Sequence, residues 1–128
     1  MPIDLGQIQI QNDKVGTVFA VSVETGKTTW KYEQRAGYMS LVATGGGLIF
    51  GGDTNGHFRA FDQNTGSVLW DVNLGSPVTG YPITFSVGGK QYVAVSTGNS
   101  LVSSGLNQLT KELHPSNASN LFVFALPE

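Results

Sequence analysis

Apolar positions recur along the chain with a period of two, the spacing of a half-buried β-strand, and short clusters of Gly, Asn, Asp and Thr cut the pattern into segments. The stretch 47–70, GLIFGGDTNGHFRAFDQNTGSVLW, carries it most densely. Leu48, Ile49 and Phe50 run into Gly51 and Gly52, and Asp53, Thr54, Asn55 and Gly56 then form a turn. Residues 57–62 alternate, Gln63, Asn64, Thr65 and Gly66 turn again, and Val68, Leu69 and Trp70 open the next strand. Glycine stands where each turn needs a positive φ. Along the whole chain the pattern predicts strands at 15–23, 28–33, 41–44, 47–52, 57–62, 67–73, 81–87, 91–97 and 121–126, with an edge strand at 5–11. Residues 98–119 break the rhythm and are expected to form a long loop with a short helical turn at 106–113. A meander of this kind cannot bury its apolar faces alone and has to pack against other sheets.

Half of the dense stretch occurs twice. Residues 18–30, VFAVSVETGKTTW, lie over residues 58–70, FRAFDQNTGSVLW, with Ala20/Ala60, Thr25/Thr65, Gly26/Gly66 and Trp30/Trp70 identical. The offset is 66 − 26 = 40 residues, and 70 − 30 gives the same. A period near 40 residues with about four strands per repeat is the signature of propeller blades. The expected fold is therefore all-β, a partial β-propeller with one complete four-stranded antiparallel blade at 41–73 between two incomplete ones, at 5–33 and 81–126. The chain is read as one domain, 1–128.

The repeat resembles the tryptophan-docking motif of the pyrroloquinoline quinone (PQQ) dehydrogenases, which fold as eight-bladed propellers. Neighbouring segments resemble the last part of that family's large subunit: LVATGGGLIFGGD at 41–53, YPITF at 81–85, GKQYVAV at 89–95 and NLFVFALP at 120–127. The resemblance implies an alcohol dehydrogenase that passes two electrons to PQQ and on to a cytochrome, in the periplasm. It also implies calcium or a lanthanide beside the quinone, held by Glu, Asn and Asp of earlier blades, with an Asp as base. None of those motifs is in this sequence, so neither catalytic nor metal-binding residues are assigned. By resemblance, Tyr38, Met39, Ser40 and Asn99 face the quinone, while Trp30, Trp70, Gly26 and Gly66 dock one blade on the next. The expected role is that of a C-terminal fragment or shortened homologue, not catalytic alone. Its partners would be the rest of the propeller or copies of itself. The alternative is a non-enzymatic scaffold or binding module that self-associates through open blade edges, as in outer-membrane assembly lipoproteins built on the same repeat.

Composition narrows the field further. The chain has 128 residues, about a third of what eight blades need at roughly 40 residues each. A net charge of −2 with seven basic residues argues against a nucleic-acid or membrane-surface footprint. There is no cysteine, hence no disulfide or thiolate site, and no apolar run reaches the roughly 20 residues of a membrane span. The first residues lack the basic and apolar regions of an export signal.

Other residues point to turns rather than chemistry. Asp53, Thr54, Asn55 and Gly56 look like part of a calcium loop without its terminal Glu, so a tight turn explains them better. Asp62 is expected to accept hydrogen bonds from its own turn, as Ser22 does in the other repeat. His57 and His114 have no metal-ligand spacing and are expected to be solvated. No nucleophile elbow holds a Ser, and Gly45, Gly46 and Gly47 lack the Lys of a phosphate loop.

Overall fold

A computed structural model of the chain describes residues 13–127. The predicted edge strand at 5–11 lies outside them. Among the described residues nine strands form three antiparallel sheets, with one short helix before the last strand. The first sheet pairs β1 (Gly16–Val21) with β2 (Thr28–Gln34). The second runs in order through β3 (Tyr38–Ala43), β4 (Leu48–Asp53), β5 (His57–Asp62) and β6 (Val68–Asn73). The third joins β7 (Ile83–Val87), β8 (Lys90–Ser96) and β9 (Leu121–Ala125). Turn chemistry sets the hairpins: Gly26, Gly47, Gly56, Gly66, Gly88 and Gly89 all have positive φ in them.

The two faces of the middle sheet are both covered, and side-chain alternation explains how. Phe50, Phe58 and Ala60 point one way and form a core with Val78 and with Val93 and Val95 of β8. Phe58 stacks on Phe124 of β9 at 6.2 Å between centroids, and Trp70 meets Phe124 edge-on at 5.1 Å. Phe61 points the other way, against Trp30 at 6.5 Å and Tyr32 at 5.0 Å. Close approach on the third-sheet side depends on Gly52, where any Cβ would overlap Val78. The outward faces of the flanking sheets stay exposed: Phe19, Val21 and Val23 on one, Ile83, Phe85, Val87, Leu121 and Val123 on the other.

Among the boundaries that differ from expectation, three have a plain physical reason. The first strand of the middle sheet begins at Tyr38, not 41, because Tyr38 pairs with Asp53 across a bulge at 38–40. β7 starts at Ile83, after Pro82, which has no N–H to offer a ladder. The helix spans Leu101–Asn107 instead of lying at 106–113. Its position follows from a capping box: the Ser103 N–H donates to Ser100 Oγ at 3.0 Å, and the Ser100 N–H donates to Ser103 Oγ at 2.8 Å. From Leu106 to Leu113 the chain continues in single turns such as Leu109 N to Leu106 O and Leu113 N to Thr110 O.

Candidate functional site

The polar groups of the fold converge at the turn between β4 and β5. Asp53 is 1% exposed and is hydrogen-bonded at both carboxylate oxygens. Its Oδ1 accepts from the backbone N–H groups of Asn55 at 2.9 Å and His57 at 3.0 Å, the tight turn read from the sequence. Its Oδ2 accepts from Arg59 Nη1 and from Gln34 Nε2, both at 2.8 Å. Arg59 continues the network, donating through Nη1 to the Tyr38 hydroxyl at 3.0 Å and through Nε to Asp71 Oδ2 at 2.9 Å. Asp71 Oδ1 in turn lies 2.7 Å from His57 Nδ1. His57, expected to be solvated, thus has a carboxylate partner on the neighbouring strand β6, diagonally across the pair, where Asp71 stands opposite Arg59. The guanidinium also sits over the Tyr32 ring at 5.8 Å.

The electrostatics follow from burial and pairing. Burial pushes the Tyr38 hydroxyl far above the ordinary phenol range, the neighbouring Arg59 only partly opposing it, so Tyr38 stays neutral. Burial works against the charge on Arg59, yet Tyr38 and the Asp53 carboxylate outweigh it and hold the guanidinium more firmly protonated than usual. Burial also opposes the charge on Asp71, but His57 and Arg59 together lower its pKa. Asp62 is lowered by the N–H groups of Asn64 and Thr65, as its turn role predicts. A saturated network of this kind fixes the turn, the edge strand β3 and the end of β2 relative to one another.

The residues expected to face the quinone are placed as follows. Tyr38, Met39 and Ser40 open β3, an edge strand of the four-stranded sheet. The Ser40 hydroxyl is buried and donates to Gly80 O at 2.9 Å, while Tyr38 is engaged by Arg59. Asn99 lies after β8, exposed, and its amide donates to Asn117 at 3.0 Å. Its other hydrogen bond is to Ser103, so its polar contacts stay within the segment that follows β8. The polar side chains of Tyr38, Ser40 and Asn99 are thus each hydrogen-bonded within the protein. Among the described residues no three of His, Cys, Asp and Glu come together as metal ligands would, and Asp53 is neutralised by Arg59.

Segment 97–120 is tied down as a strap. Thr97 Oγ1 donates to Ala118 O at 3.0 Å, and Gly98 N donates to Pro77 O at 2.9 Å. Further along, Ser116 N donates to Gly75 O at 2.7 Å. Arg35 clamps its middle, pairing with Glu112 and donating to Leu109 O at 3.0 Å. Leu106 closes over Gly37, where a Cβ would overlap it.

Trp30 is 9% exposed, with its ring on Gly66 and its indole N–H donating to Gln63 O at 2.8 Å. Trp70, expected to be equally buried, is only partly so: it packs on Phe58 and Phe124, and the sheet it meets has three strands and no turn matching Gly66. Sequence reading missed Arg59, Gln34 and Asp71. The one available signal was an Arg within a strand whose neighbours Phe58, Ala60 and Phe61 are all apolar, facing Asp71 twelve residues on (71 − 59 = 12).

A four-stranded sheet at a repeat of 40 residues, stacked between sheets of the same kind, defines a partial β-propeller. Residues 34–93 match the family described as PQQ, glucose/ethanol/alcohol dehydrogenase, beta-propeller domain. The quinoprotein alcohol dehydrogenase PedE of Pseudomonas putida is 33% identical over 124 residues, which cover 93% of this chain and 19% of that protein. Lupanine 17-hydroxylase [cytochrome c] of a Pseudomonas species is 40% identical over 88 residues, 67% of this chain and 13% of its own length. Among solved structures, a europium-containing methanol dehydrogenase superposes with a TM-score of 0.77 at 33% identity, covering 91% of this chain and 24% of that one. The chain belongs to the PQQ-dependent quinoprotein alcohol dehydrogenases. It spans about a fifth of the length of such relatives, 19% in the case of PedE. The reading as a free-standing scaffold is not favoured.

Proposed function

We propose that this chain is the closing part of a PQQ-dependent alcohol dehydrogenase propeller, and that it is not catalytic by itself. The complete protein would oxidise an alcohol, with two electrons passing to the quinone and then to a periplasmic cytochrome. Residues 1–128 would act as one domain, contributing the blade at 41–73 and parts of two others at 5–33 and 81–126. Within it Tyr38, Met39, Ser40 and Asn99 would line part of the axial pocket, and Trp30 and Trp70 would wedge neighbouring sheets together. The observation that carries this reading is the middle sheet, covered on both faces by sheets whose own outer faces are bare. The engaged polar groups of Tyr38, Ser40 and Asn99 support a lining role rather than a ligand role.

The test is ethanol-dependent dye reduction by the purified chain in the presence of PQQ and calcium. The expected result is a rate no higher than that of the cofactors without protein. Saturable turnover by the chain alone would overturn the proposal.

A further inference from the structure

The strap folds back on itself and encloses an open concavity of about 430 Å³ between the helix Leu101–Asn107 and the return leg 111–117. Three anchors hold its two walls in place. Thr97 Oγ1 donates to Ala118 O, Ser116 N donates to Gly75 O, and the Asn99 amide donates to Asn117 Oδ1 at 3.0 Å. Glu112, the acid of the return leg, is taken up by Arg35, and no carboxylate of the described residues lines the concavity. The groups left without partners there are donors. Asn117 has its oxygen occupied by Asn99, which leaves its NH2 group unpaired. The Asn107 oxygen is buried without a partner, so the NH2 group is the end of that amide that meets the opening. Among the described residues the Gln108 amide makes no hydrogen bond, and Lys111, exposed, makes no ion pair. Leu113 and Pro115, both half-buried, supply the apolar part of the lining.

We propose that this concavity is a binding site for a short-chain monocarboxylate. The carboxylate accepts from the Lys111 ammonium and from the unpaired NH2 groups of Asn107, Gln108 and Asn117, and the alkyl chain lies on Leu113 and Pro115. An oxyanion is the ligand group that accepts several N–H donors at once, and one ammonium matches one negative charge. A phosphate offers the same kind of acceptor with more charge and nothing to cover Leu113 and Pro115, which favours the carboxylate. Asn99 is a positioning residue in this site: it holds the Asn117 oxygen and so turns the NH2 group of that amide to the ligand. The exposed His114 ring borders the opening and brings no negative charge to it. The site shares no residue with the Asp53 network and needs no quinone, so failure of the quinone chemistry leaves it standing.

The test is titration of the isotope-labelled chain with sodium butyrate, followed by side-chain and backbone amide chemical shifts. Ionic strength is held constant, so that screening does not move the shifts. Saturable shifts are expected at the NH2 groups of Asn107, Gln108 and Asn117 and at the amides of residues 111–114. Half-saturation falls on the order of 1 mM for so small a ligand. Lys111→Gln weakens binding about tenfold, the loss of one charged hydrogen bond, and leaves the urea midpoint unchanged because Lys111 is exposed and unpaired. Gln108→Leu, at a second exposed position, weakens it by a smaller factor. Butyramide, the uncharged analogue, gives no saturable shift, and inorganic phosphate binds more weakly than butyrate. No saturable shift with butyrate, an unchanged half-saturation in both variants, or butyramide binding as well as butyrate would overturn the proposal. Phosphate binding as tightly as butyrate would overturn the assignment to a carboxylate.

Discussion

Replacing Trp30 with Ala should destabilise the chain far more than the same change at Trp70, although the two occupy identical positions in the repeat. Trp30 is 9% exposed and stacks on Phe61, and its N–H reaches the Gln63 carbonyl at 2.8 Å. Truncating a buried Trp costs about 3–5 kcal/mol, of which the lost hydrogen bond is about 1 kcal/mol. The expected loss at Trp30 is therefore about 4 kcal/mol. Trp70 keeps one side toward solvent and meets Phe58 and Phe124 mainly by ring edges, so about half of that, roughly 2 kcal/mol, is expected. Urea unfolding followed by circular dichroism reads both. With a slope of about 2 kcal/mol per M, the midpoint falls by about 2 M for Trp30→Ala and about 1 M for Trp70→Ala. Equal shifts, or a larger one at Trp70, would refute the argument that the Gly66 platform sets the difference.

Other consequences can be checked on the same chain. Gly66→Ala should cost about 2 kcal/mol or more beyond Gly26→Ala, because both residues hold the same positive φ but only Gly66 lies under an indole; paired urea midpoints decide it. Arg59→Met should cost about 3–5 kcal/mol by leaving Asp53 buried without its cation, and an unchanged thermal midpoint would remove the network from the account. For acid stability the sign runs one way. The Asp71 carboxyl titrates below its ordinary 3.8 in the fold, so the unfolded chain binds more protons there. The stabilisation is present above about pH 4 and is lost as pH falls through the folded value. Asp71→Asn should flatten that part of the stability curve, and an unaltered acid limb would contradict it. Ser103→Ala, which removes the Ser100 N–H to Ser103 Oγ half of the capping box, should cost about 1 kcal/mol locally, seen as faster amide exchange in residues 97–120 with little change in β3–β6.

The sheets could be read from the sequence because their signals are local. Alternation in 57–62 and the paired TG turns set the hairpins, and the repeated Trp positions revealed that the sheets stack. What stayed hidden depends on pairing across the fold. Asp53 reads as a turn residue, and it is one; that Gln34 and Arg59 also reach it depends on how the first sheet lies against the second. His57 looked isolated because Asp71, its partner, is adjacent only through the β5–β6 register. Trp70 looked equivalent to Trp30 because the repeat describes the residue and not the sheet it meets. The helix was misplaced because Ser100 and Ser103 read as loop formers unless the capping box they make is considered. For the residues expected to face the quinone, only the resemblance pointed to Tyr38, Met39, Ser40 and Asn99; no pattern in the sequence shows that the polar groups of Tyr38, Ser40 and Asn99 are already engaged.

The chain is a run of propeller blades whose two end faces, among the described residues, are uncovered. Static light scattering across a wide concentration range, with and without PQQ and calcium, tests it most directly. Exposed Phe19, Val21 and Val23 at one end and Ile83, Val87, Leu121 and Val123 at the other predict a mass that rises with concentration and ignores the cofactors. A strictly monomeric mass at every concentration, or one that changes only when PQQ and calcium are present, would contradict the account.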